Sequence, residues 1–228
     1  MGLKRKPPDG NIRRVAAIGN NLRGTITNKT GRIVQFESFA ERSLLLRLER
    51  DHSVEDYASQ PEKFSGESGK HYTPDFIVWR RNGMTEIHEV TRMERRVQQS
   101  QQAREQLAQR ICQERGWWYI VHTEENLPQS SELANLLSLL QYRPMAYRSG
   151  NIFQVVCHLL EPSEKMLLCE LANLLVSRSP DSFQAVSTSL CHELWHGRLA
   201  TNWQQSILRQ AQFAPDAYTW LPCSEVEA

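Results

Sequence analysis

The sequence has 228 residues, enough for one large domain or two small ones, and its 40% hydrophobic content excludes a wholly disordered chain. The formal net charge of +1 is unevenly spread, and the 5 cysteines are widely spaced without a CxxC, which excludes a disulfide framework and a zinc ribbon. With no apolar run long enough to span a bilayer and no signal-peptide pattern, we expect a cytoplasmic, nucleoid-associated protein with reduced thiols and no membrane partner.

Residues 1–30 are polar and carry Gly, Asn and Pro, which predicts an arm with little regular structure. This arm is basic, and a basic arm is typical of a phosphate-binding tail, although a solvated terminus is an equally open interpretation. The residues that we expect to contact DNA are Lys4, Arg5, Lys6, Arg13 and Arg14.

An α/β domain is predicted over residues 31–128. Apolar residues recur at helical spacing over residues 36–48, and three β-rich segments follow at residues 54–60, 70–79 and 84–91. Asn82-Gly83 predicts a hairpin between the last two segments. A helix over residues 94–116, ended by Gly116, then leads to a buried strand at residues 117–122, which a helical crossover should pair in parallel.

The rest of the chain is predicted to be mainly helical. A linker occupies residues 129–144, a helical, winged-helix-like domain that binds DNA or a partner occupies residues 145–222, and a tail follows at residues 223–228. The last helix, over residues 181–196, offers Ser187, Thr188, Ser189, His192 and His196 as polar groups for phosphates or base edges. Docking of a protein partner is the alternative role for this helix.

Two acidic side chains are placed by the predicted hairpin on neighbouring strands. Asp75 follows Pro74 at the start of one strand, and Glu89 lies on the partner strand. Two such carboxylates can share one hard cation; Glu41, on the preceding helix, could add a third, and the Val90 carbonyl could add a further oxygen. This set predicts Mg²⁺, or Mn²⁺ in its place, acting in phosphodiester hydrolysis, while a solvated acidic face is the alternative.

The same residues resemble the PD-(D/E)xK nuclease superfamily, through Pro74-Asp75 and then Glu89-Val90-Thr91 after a hairpin. The wider pattern resembles TnsA, the endonuclease subunit of heteromeric transposases. It starts at Asn28-Lys29-Thr30-Gly31-Arg32, and it runs through Glu41, residues 54–57, Tyr72-Thr73-Pro74-Asp75-Phe76 and the strand before Thr123.

This resemblance implies a restriction-endonuclease-like mixed sheet flanked by helices, with a C-terminal winged-helix-like domain. It implies Mg²⁺-dependent cleavage of the 5′ strands of double-stranded DNA at transposon ends. It also implies two protein partners, a TnsB-like DDE transposase subunit and a TnsC-like AAA+ ATPase regulator. Residue by residue, Glu41, Asp75 and Glu89 match the metal-binding carboxylates of the family.

Thr91 departs from the family motif, which has lysine at this position. A substitute cation could come from Lys70, Arg92 or Arg95. Otherwise the chain is a catalytically impaired subunit that acts in DNA binding and transpososome assembly. A third interpretation is an unrelated nuclease of the same superfamily, in repair or restriction.

A second motif competes with this interpretation. His192-Glu193-Leu194-Trp195-His196 fits HExxH, in which two histidines on one helix face bind zinc and the glutamate acts as general base. It would make the chain a zinc metalloprotease. Gly197 ends the helix at the second histidine, and no third histidine follows, so a tail carboxylate or Asp216 would have to complete the site.

Overall fold

The computed structural model describes residues 22–66, 71–160 and 164–222. The chain divides into two compact units, with the boundary between Leu127 and Pro128. Lys70 and the basic residues of the N-terminal arm (Lys4, Arg5, Lys6, Arg13 and Arg14) lie outside the described residues, so their predicted roles stay predictions. Among the described helices, none combines the length and the apolar character needed to cross a membrane.

The first unit is built around a mixed four-stranded sheet. Its elements are β1 (Gly24–Thr27), β2 (Ile33–Phe36), α1 (Phe39–Arg50), β3 (Val54–Ser59), β4 (Phe64–Ser65), β5 (His71–Tyr72), β6 (Phe76–Arg80), β7 (Thr85–Val90), α2 (Met93–Arg96), α3 (Gln99–Arg115) and β8 (Trp118–His122). The sheet order is β3-β6-β7-β8. The first three strands pair antiparallel, and β8 pairs parallel to β7, so the predicted mixed sheet is confirmed.

The N-terminal hairpin β1-β2 differs from the prediction of an irregular arm up to residue 30. β1 pairs antiparallel with β2 around a turn at Asn28. The buried Asn28 side chain accepts hydrogen bonds from the backbone N–H groups of Thr30 at 3.1 Å and Arg32 at 2.8 Å. Gly31 has φ 84° at the same turn, where glycine is unstrained. Asn28 and Gly31, residue types that favour irregular chain, form a tight turn here.

One helix covers each face of the sheet, because the side chains of a strand alternate between its two faces. On one face, Leu44, Leu45 and Leu48 of α1 join a core with Tyr57, Phe76 and Val78. On the other face, Ala108, Ile111 and Cys112 of α3 join a core with Ile77, Trp79 and Ile87. Side chains two positions before or after Ile77 and Ile87 on these strands therefore project to the face of the sheet that α3 covers.

The segment after β7 forms two helices where the sequence predicted one. A break at Val97 and Gln98 separates α2 from α3, and Gly116 ends α3 in the left-handed conformation with φ 67°, as predicted. Across the break, the Arg96 guanidinium donates to both carboxylate oxygens of Glu105, at 3.2 and 3.0 Å. This fork-shaped pairing holds α2 against α3.

The second unit is mainly helical. Its elements are α4 (Ser130–Leu139), α5 (Gly150–Leu159), β9 (Met166–Leu167), α6 (Leu168–Arg178), α7 (Phe183–Trp195), β10 (Ala200–Thr201), β11 (Leu208–Arg209), β12 (Gln212–Phe213) and β13 (Tyr218–Trp220). A three-stranded sheet has the order β10-β13-β9, and β11 pairs with β12 as a hairpin. Helix α4, predicted as a linker, packs against α7 within this unit.

Helix α7 is more deeply buried than the sequence predicted. Its C-terminal half, including Ser189 and His192, lies in the interior beside Leu190 and Trp195. The proposed contacts of Ser189 and His192 with DNA are therefore wrong. Only the first turn of α7, with Phe183 and Gln184, is exposed.

Candidate functional site

Asp75 and Glu89 face each other across the central strand pair. In the antiparallel register of β6 and β7, Phe76 pairs with His88. Asp75 lies in the bend just before β6 and Glu89 follows His88, so this register, continued by one residue beyond its last pair, sets the two residues opposite each other. Directly opposed residues of an antiparallel pair have Cβ atoms about 4.5–5.5 Å apart and point to one face. Asp75 and Glu89 thus form a carboxyl pair on the α3 side of the sheet.

The backbone around Asp75 fixes its position at the start of β6. Its carbonyl accepts a hydrogen bond from the Gln60 N–H at 2.7 Å. Its Oδ2 accepts from the Val90 N–H at 2.7 Å. The Asp75 backbone is therefore held by Gln60 and its carboxylate by Val90, while the second carboxylate oxygen, Oδ1, is left for another ligand.

Glu89 is buried and Asp75 is half-buried, and burial outweighs the other influences on the pKa of each carboxyl. Burial is the largest cause that raises the pKa of Asp75, and the negative charge of Glu41 adds to it. Burial likewise raises the pKa of Glu89, and the charge of Asp75 raises it further. The Oε2 atom of Glu89 is buried and has no hydrogen-bond partner among the residues that the structure describes. Two repelling carboxyls and an orphaned oxygen mark a place where a cation would be stabilised.

Glu41 lies at the N-terminus of α1, where it belongs to a capping box. The Ser38 hydroxyl accepts from the Glu41 N–H at 3.1 Å and donates to the Glu41 Oε1 at 3.1 Å. The Glu37 N–H donates to the Glu41 Oε2 at 2.7 Å. Burial raises the pKa of Glu41. Both oxygens of this carboxylate therefore already serve the helix end.

As they stand, the described parts of the chain contain no group of three or more His, Cys, Asp or Glu side chains arranged to hold a metal ion. Glu41 is near enough for its charge to act on Asp75, but its oxygens accept hydrogen bonds from Glu37 and Ser38. Mg²⁺ is commonly held by one or two carboxylates and several waters. The Asp75–Glu89 pair, with its orphaned oxygen, fits such an ion without Glu41.

A cleft of about 760 Å³ adjoins this end of the sheet. The sequence-predicted residues that line it are Glu41, Val90, Thr91, Arg92 and Arg95. The Thr91 N–H donates to the His122 carbonyl at 2.9 Å, which continues the pairing of β7 and β8. Arg92 forms an exposed pair with Glu94 at 3.4 Å. The structure thus brings the motif position Thr91 and two of its possible substitutes together in one cleft.

Three residues near the pair were missed by the sequence reasoning. The positive charge of Arg104, on α3, lowers the pKa of both Asp75 and Glu89. Tyr72 and Tyr119 are near Glu89, whose charge adds to burial in raising the pKa of both phenols. The signal for Arg104 was its helical spacing from Ala108, which is four residues on and packs under the sheet.

His88 lies on the opposite face of β7 from Glu89 and has a structural role. Its Nδ1 pairs with the His122 Nε2 at 2.8 Å, and its Nε2 pairs with a Glu86 oxygen at 2.9 Å. The Arg80 guanidinium completes the chain by donating to Glu86 at 2.8 Å. This buried network uses the functional groups of His88 within the sheet.

The HExxH sequence forms a structural network in place of a zinc site. A His192 ring nitrogen pairs with the Tyr142 carbonyl at 2.8 Å, and a His196 ring nitrogen pairs with the Arg143 carbonyl at 2.9 Å. Glu193 is fully buried and forms a two-pronged ion pair with Arg198. The general base that a metalloprotease needs is therefore neutralised, and the described residues supply no metal-binding cluster around it.

A comparison with protein families supports the interpretation of the first unit. Residues 51–124 match the family model described as TnsA-like endonuclease N terminal. A search of curated proteins finds no match. The matched segment runs from the end of α1 to just past β8, and it contains Asp75, Glu89 and Thr91 but not Glu41. Within the unit that holds the carboxyl pair, residues 51–124 therefore resemble a TnsA-like endonuclease domain, which supports a fold of the restriction-endonuclease-like superfamily.

Proposed function

We propose that this chain is the DNA-cleaving subunit of a heteromeric transposase. In this role it is a Mg²⁺-dependent endonuclease that hydrolyses the 5′ strand of double-stranded DNA at each transposon end during cut-and-paste transposition. The observation that carries the proposal is the cross-strand pair of half-buried Asp75 and buried Glu89, within a segment that matches the TnsA-like endonuclease family.

Asp75 and Glu89 would hold the ion, with the Val90 carbonyl as a further oxygen ligand and Glu41 as a neighbour that tunes the local charge. Mg²⁺, for which Mn²⁺ can substitute, would supply an activated water and charge stabilisation at the leaving oxygen. The hard oxygen donors of this set suit either ion.

The chain's own residues hold the two carboxylates in place without a bound ion. The Val90 N–H and the Gln60 N–H fix Asp75 on its strand, so that its free oxygen keeps one orientation. The interior around Glu89 limits the access of water to its orphaned Oε2. Preorganised groups of this kind need little rearrangement during the reaction, and this is a main source of catalytic power.

The second unit is proposed to be a winged-helix-like module that binds DNA or a partner protein. Its order of elements is helix α5, strand β9, helices α6 and α7, strand β10, the hairpin β11-β12 and strand β13, with β13 central in the sheet. In this assignment the hairpin is the wing, and the exposed first turn of α7 is the contacting end of the recognition helix. The burial of the rest of α7 favours contacts through its first turn and the hairpin.

The proposed partners follow from the endonuclease family. A subunit that cuts only one strand at each end needs a DDE transposase, here TnsB-like, to cut and join the other strand. A TnsC-like AAA+ ATPase would regulate the assembly.

A catalytically impaired assembly subunit is the second candidate, because Thr91 stands where the motif has lysine. In this candidate the fold serves in DNA binding and transpososome assembly. It predicts that the ends are joined without any 5′-strand cut made by this chain.

Cleavage of a supercoiled plasmid that carries both transposon ends, with Mg²⁺ and the partner transposase, separates the two candidates. We expect 5′-strand breaks with the wild-type protein, none with Asp75→Ala, and wild-type breaks with the control Asp216→Ala, which changes an exposed carboxylate of the second unit. Primer extension from each end maps the breaks. Equal cutting by wild type and Asp75→Ala would refute the endonuclease proposal.

A further inference from the structure

Helix α3 turns one side toward the sheet, and Arg104 lies on that side. The buried residues of α3 are Gln101, Glu105, Ala108, Ile111 and Cys112. Arg104 is three residues after Gln101 and four before Ala108, and residues at these spacings share one side of a helix. The side of α3 that packs against the sheet therefore carries a basic side chain toward its N-terminus.

The connection between β7 and β8 places that side chain near the carboxyl pair. The two strands are parallel and α3 lies between them in the chain, so α3 must run back antiparallel to both. Its N-terminal half lies toward the end of β7 that carries Glu89. Ala108 packs in the same core as Ile87, and Arg104 is about one turn beyond Ala108 in the direction in which Glu89 follows Ile87.

The surroundings of Arg104 leave its guanidinium available. The neighbouring Glu105 is already bound by Arg96 and accepts from the Gln101 amide at 3.3 Å. Arg104 is exposed, and no hydrogen bond or ion pair joins it to another residue within the described ranges. Its charge nonetheless acts on both Asp75 and Glu89, lowering the pKa of each.

We propose that Arg104 is a catalytic residue that contacts the scissile phosphate and supplies the positive charge that lysine supplies at the position of Thr91 in the family motif. This inference rests on the proposed endonuclease function. A guanidinium forms paired hydrogen bonds with phosphate oxygens, which a threonine hydroxyl cannot replace.

In the reaction, the oxygen of the attacking water forms a bond to phosphorus while the bond from phosphorus to the leaving sugar oxygen breaks. The electron pair of that bond stays on the leaving oxygen, which takes up a proton, and the proton released by the water goes to solvent. The products are a phosphate monoester and a free hydroxyl. Arginine stays protonated throughout, so Arg104 stabilises the extra negative charge on phosphorus and does not act as a base.

The other substitutes have weaker positions. Arg92 is exposed and pairs with Glu94. Arg95 lies on the wall of the cleft, on α2 and outside the sheet-facing side of α3. Arg104 alone of these three extends from a helix whose inner side packs on the same sheet face as the carboxyl pair.

The test measures single-turnover cleavage by Arg104→Ala, Arg104→Lys and the double variant Thr91→Lys/Arg104→Ala, on the plasmid substrate with Mg²⁺ and the partner transposase. Arg110→Ala is the control, because it removes the same charge from another side of the same helix. We expect Arg104→Ala to slow the cleavage step about 100-fold, by analogy with the loss of one donor to a transition-state oxyanion, with DNA affinity within about threefold of wild type. Restoring lysine at position 91 should recover at least part of the lost rate.

The outcomes separate this inference from the function on which it rests. Cleavage by wild type but not by Asp75→Ala, together with undiminished cleavage by Arg104→Ala, would refute the role of Arg104 and leave the endonuclease intact. A loss in Arg104→Ala that neither Thr91→Lys nor added guanidinium ion repairs would also refute it, since the missing group would not be a charge. No cleavage by the wild-type protein would refute the endonuclease function itself. Thermal unfolding of each variant verifies that it is folded.

Discussion

Asp75 stands opposite Glu89 across strands β6 and β7, where burial raises the pKa of both carboxyls and the charge of Asp75 raises the pKa of Glu89 further. Because side chains alternate along a strand, Glu89 projects to the same side of the sheet as Ile87, which is the side that α3 covers. Ionising both groups in this interior requires a positive charge nearby, and this requirement links the stability of the domain to pH and to metal ions.

The stability of the metal-free protein should fall as pH rises above the ordinary carboxyl range. The folded-state pKa values of Asp75 and Glu89 are raised above their unfolded values of about 4. The folded state therefore binds protons more tightly, and the stabilisation that is complete below pH of about 4 is lost as pH rises through the raised values. Urea unfolding between pH 4 and 8 measures this loss. Asp75→Asn should flatten the profile, whereas the exposed-carboxylate control Glu114→Gln should not; parallel profiles for wild type and Asp75→Asn would contradict the linkage.

Mg²⁺ should stabilise the wild-type protein at neutral pH. A ligand at 100 times its dissociation constant stabilises the folded state by about 2.7 kcal/mol if it does not bind the unfolded chain. Asp75→Asn and Glu89→Gln should each abolish most of this gain, because each removes one proposed ligand. Denaturant unfolding with and without Mg²⁺ tests this expectation. An equal gain in wild type and in both variants would place the ion elsewhere.

Glu41 should matter to the helix more than to the metal. Glutamine can still accept the hydrogen bonds of the capping box, so Glu41→Gln should keep the stability of α1, whereas Glu41→Ala should lower it by about 1 kcal/mol. Cleavage by Glu41→Gln should fall less than cleavage by Asp75→Asn. If Glu41→Gln is as inactive as Asp75→Asn, the carboxylate leaves its cap and binds the ion.

Arg198 should be important for the stability of the second unit. Its removal leaves the fully buried Glu193 without a partner, a change that costs about 3–5 kcal/mol when a buried pair is broken. Arg209→Ala is the matched control, since Arg209 pairs with Asp216 at 3.6 Å on the surface and should contribute less than about 1 kcal/mol. Chemical unfolding of the full chain compares the two variants.

Zinc analysis of wild type and His192→Ala should show no bound zinc in either.

The sequence predicted the central sheet well because its signals are local. Alternating apolar residues and the Asn82-Gly83 turn specify β6 and β7, and the spacing of Asp75 and Glu89 then follows from the pairing. The helical crossover to β8 was predicted for the same reason, by length and connection rules. These features depend on neighbours in the chain, which a single sequence displays.

The features that were missed depend on tertiary contacts. The capping role of the Glu41 oxygens needs the position of the Glu37 amide, although Ser38 and Glu41 have the spacing of a capping box. The burial of His192 follows from α7 packing against α4, α5 and α6, which helical periodicity alone cannot specify. Arg104 was overlooked because its importance depends on which side of α3 meets the sheet.

The rotation of α3 about its own axis determines whether Arg104 points toward the carboxyl pair. If Ala108 and Ile111 keep their packing against the sheet, one residue inserted between Arg104 and Glu105 rotates Arg104 by about 100° around the helix axis, away from the carboxyl pair. The direction of a charged side chain on a strand is set by the pleat of the strand. The direction of Arg104 is set by its position around the axis of α3. Length changes within α3 should therefore disturb the proposed site even where every side chain is preserved.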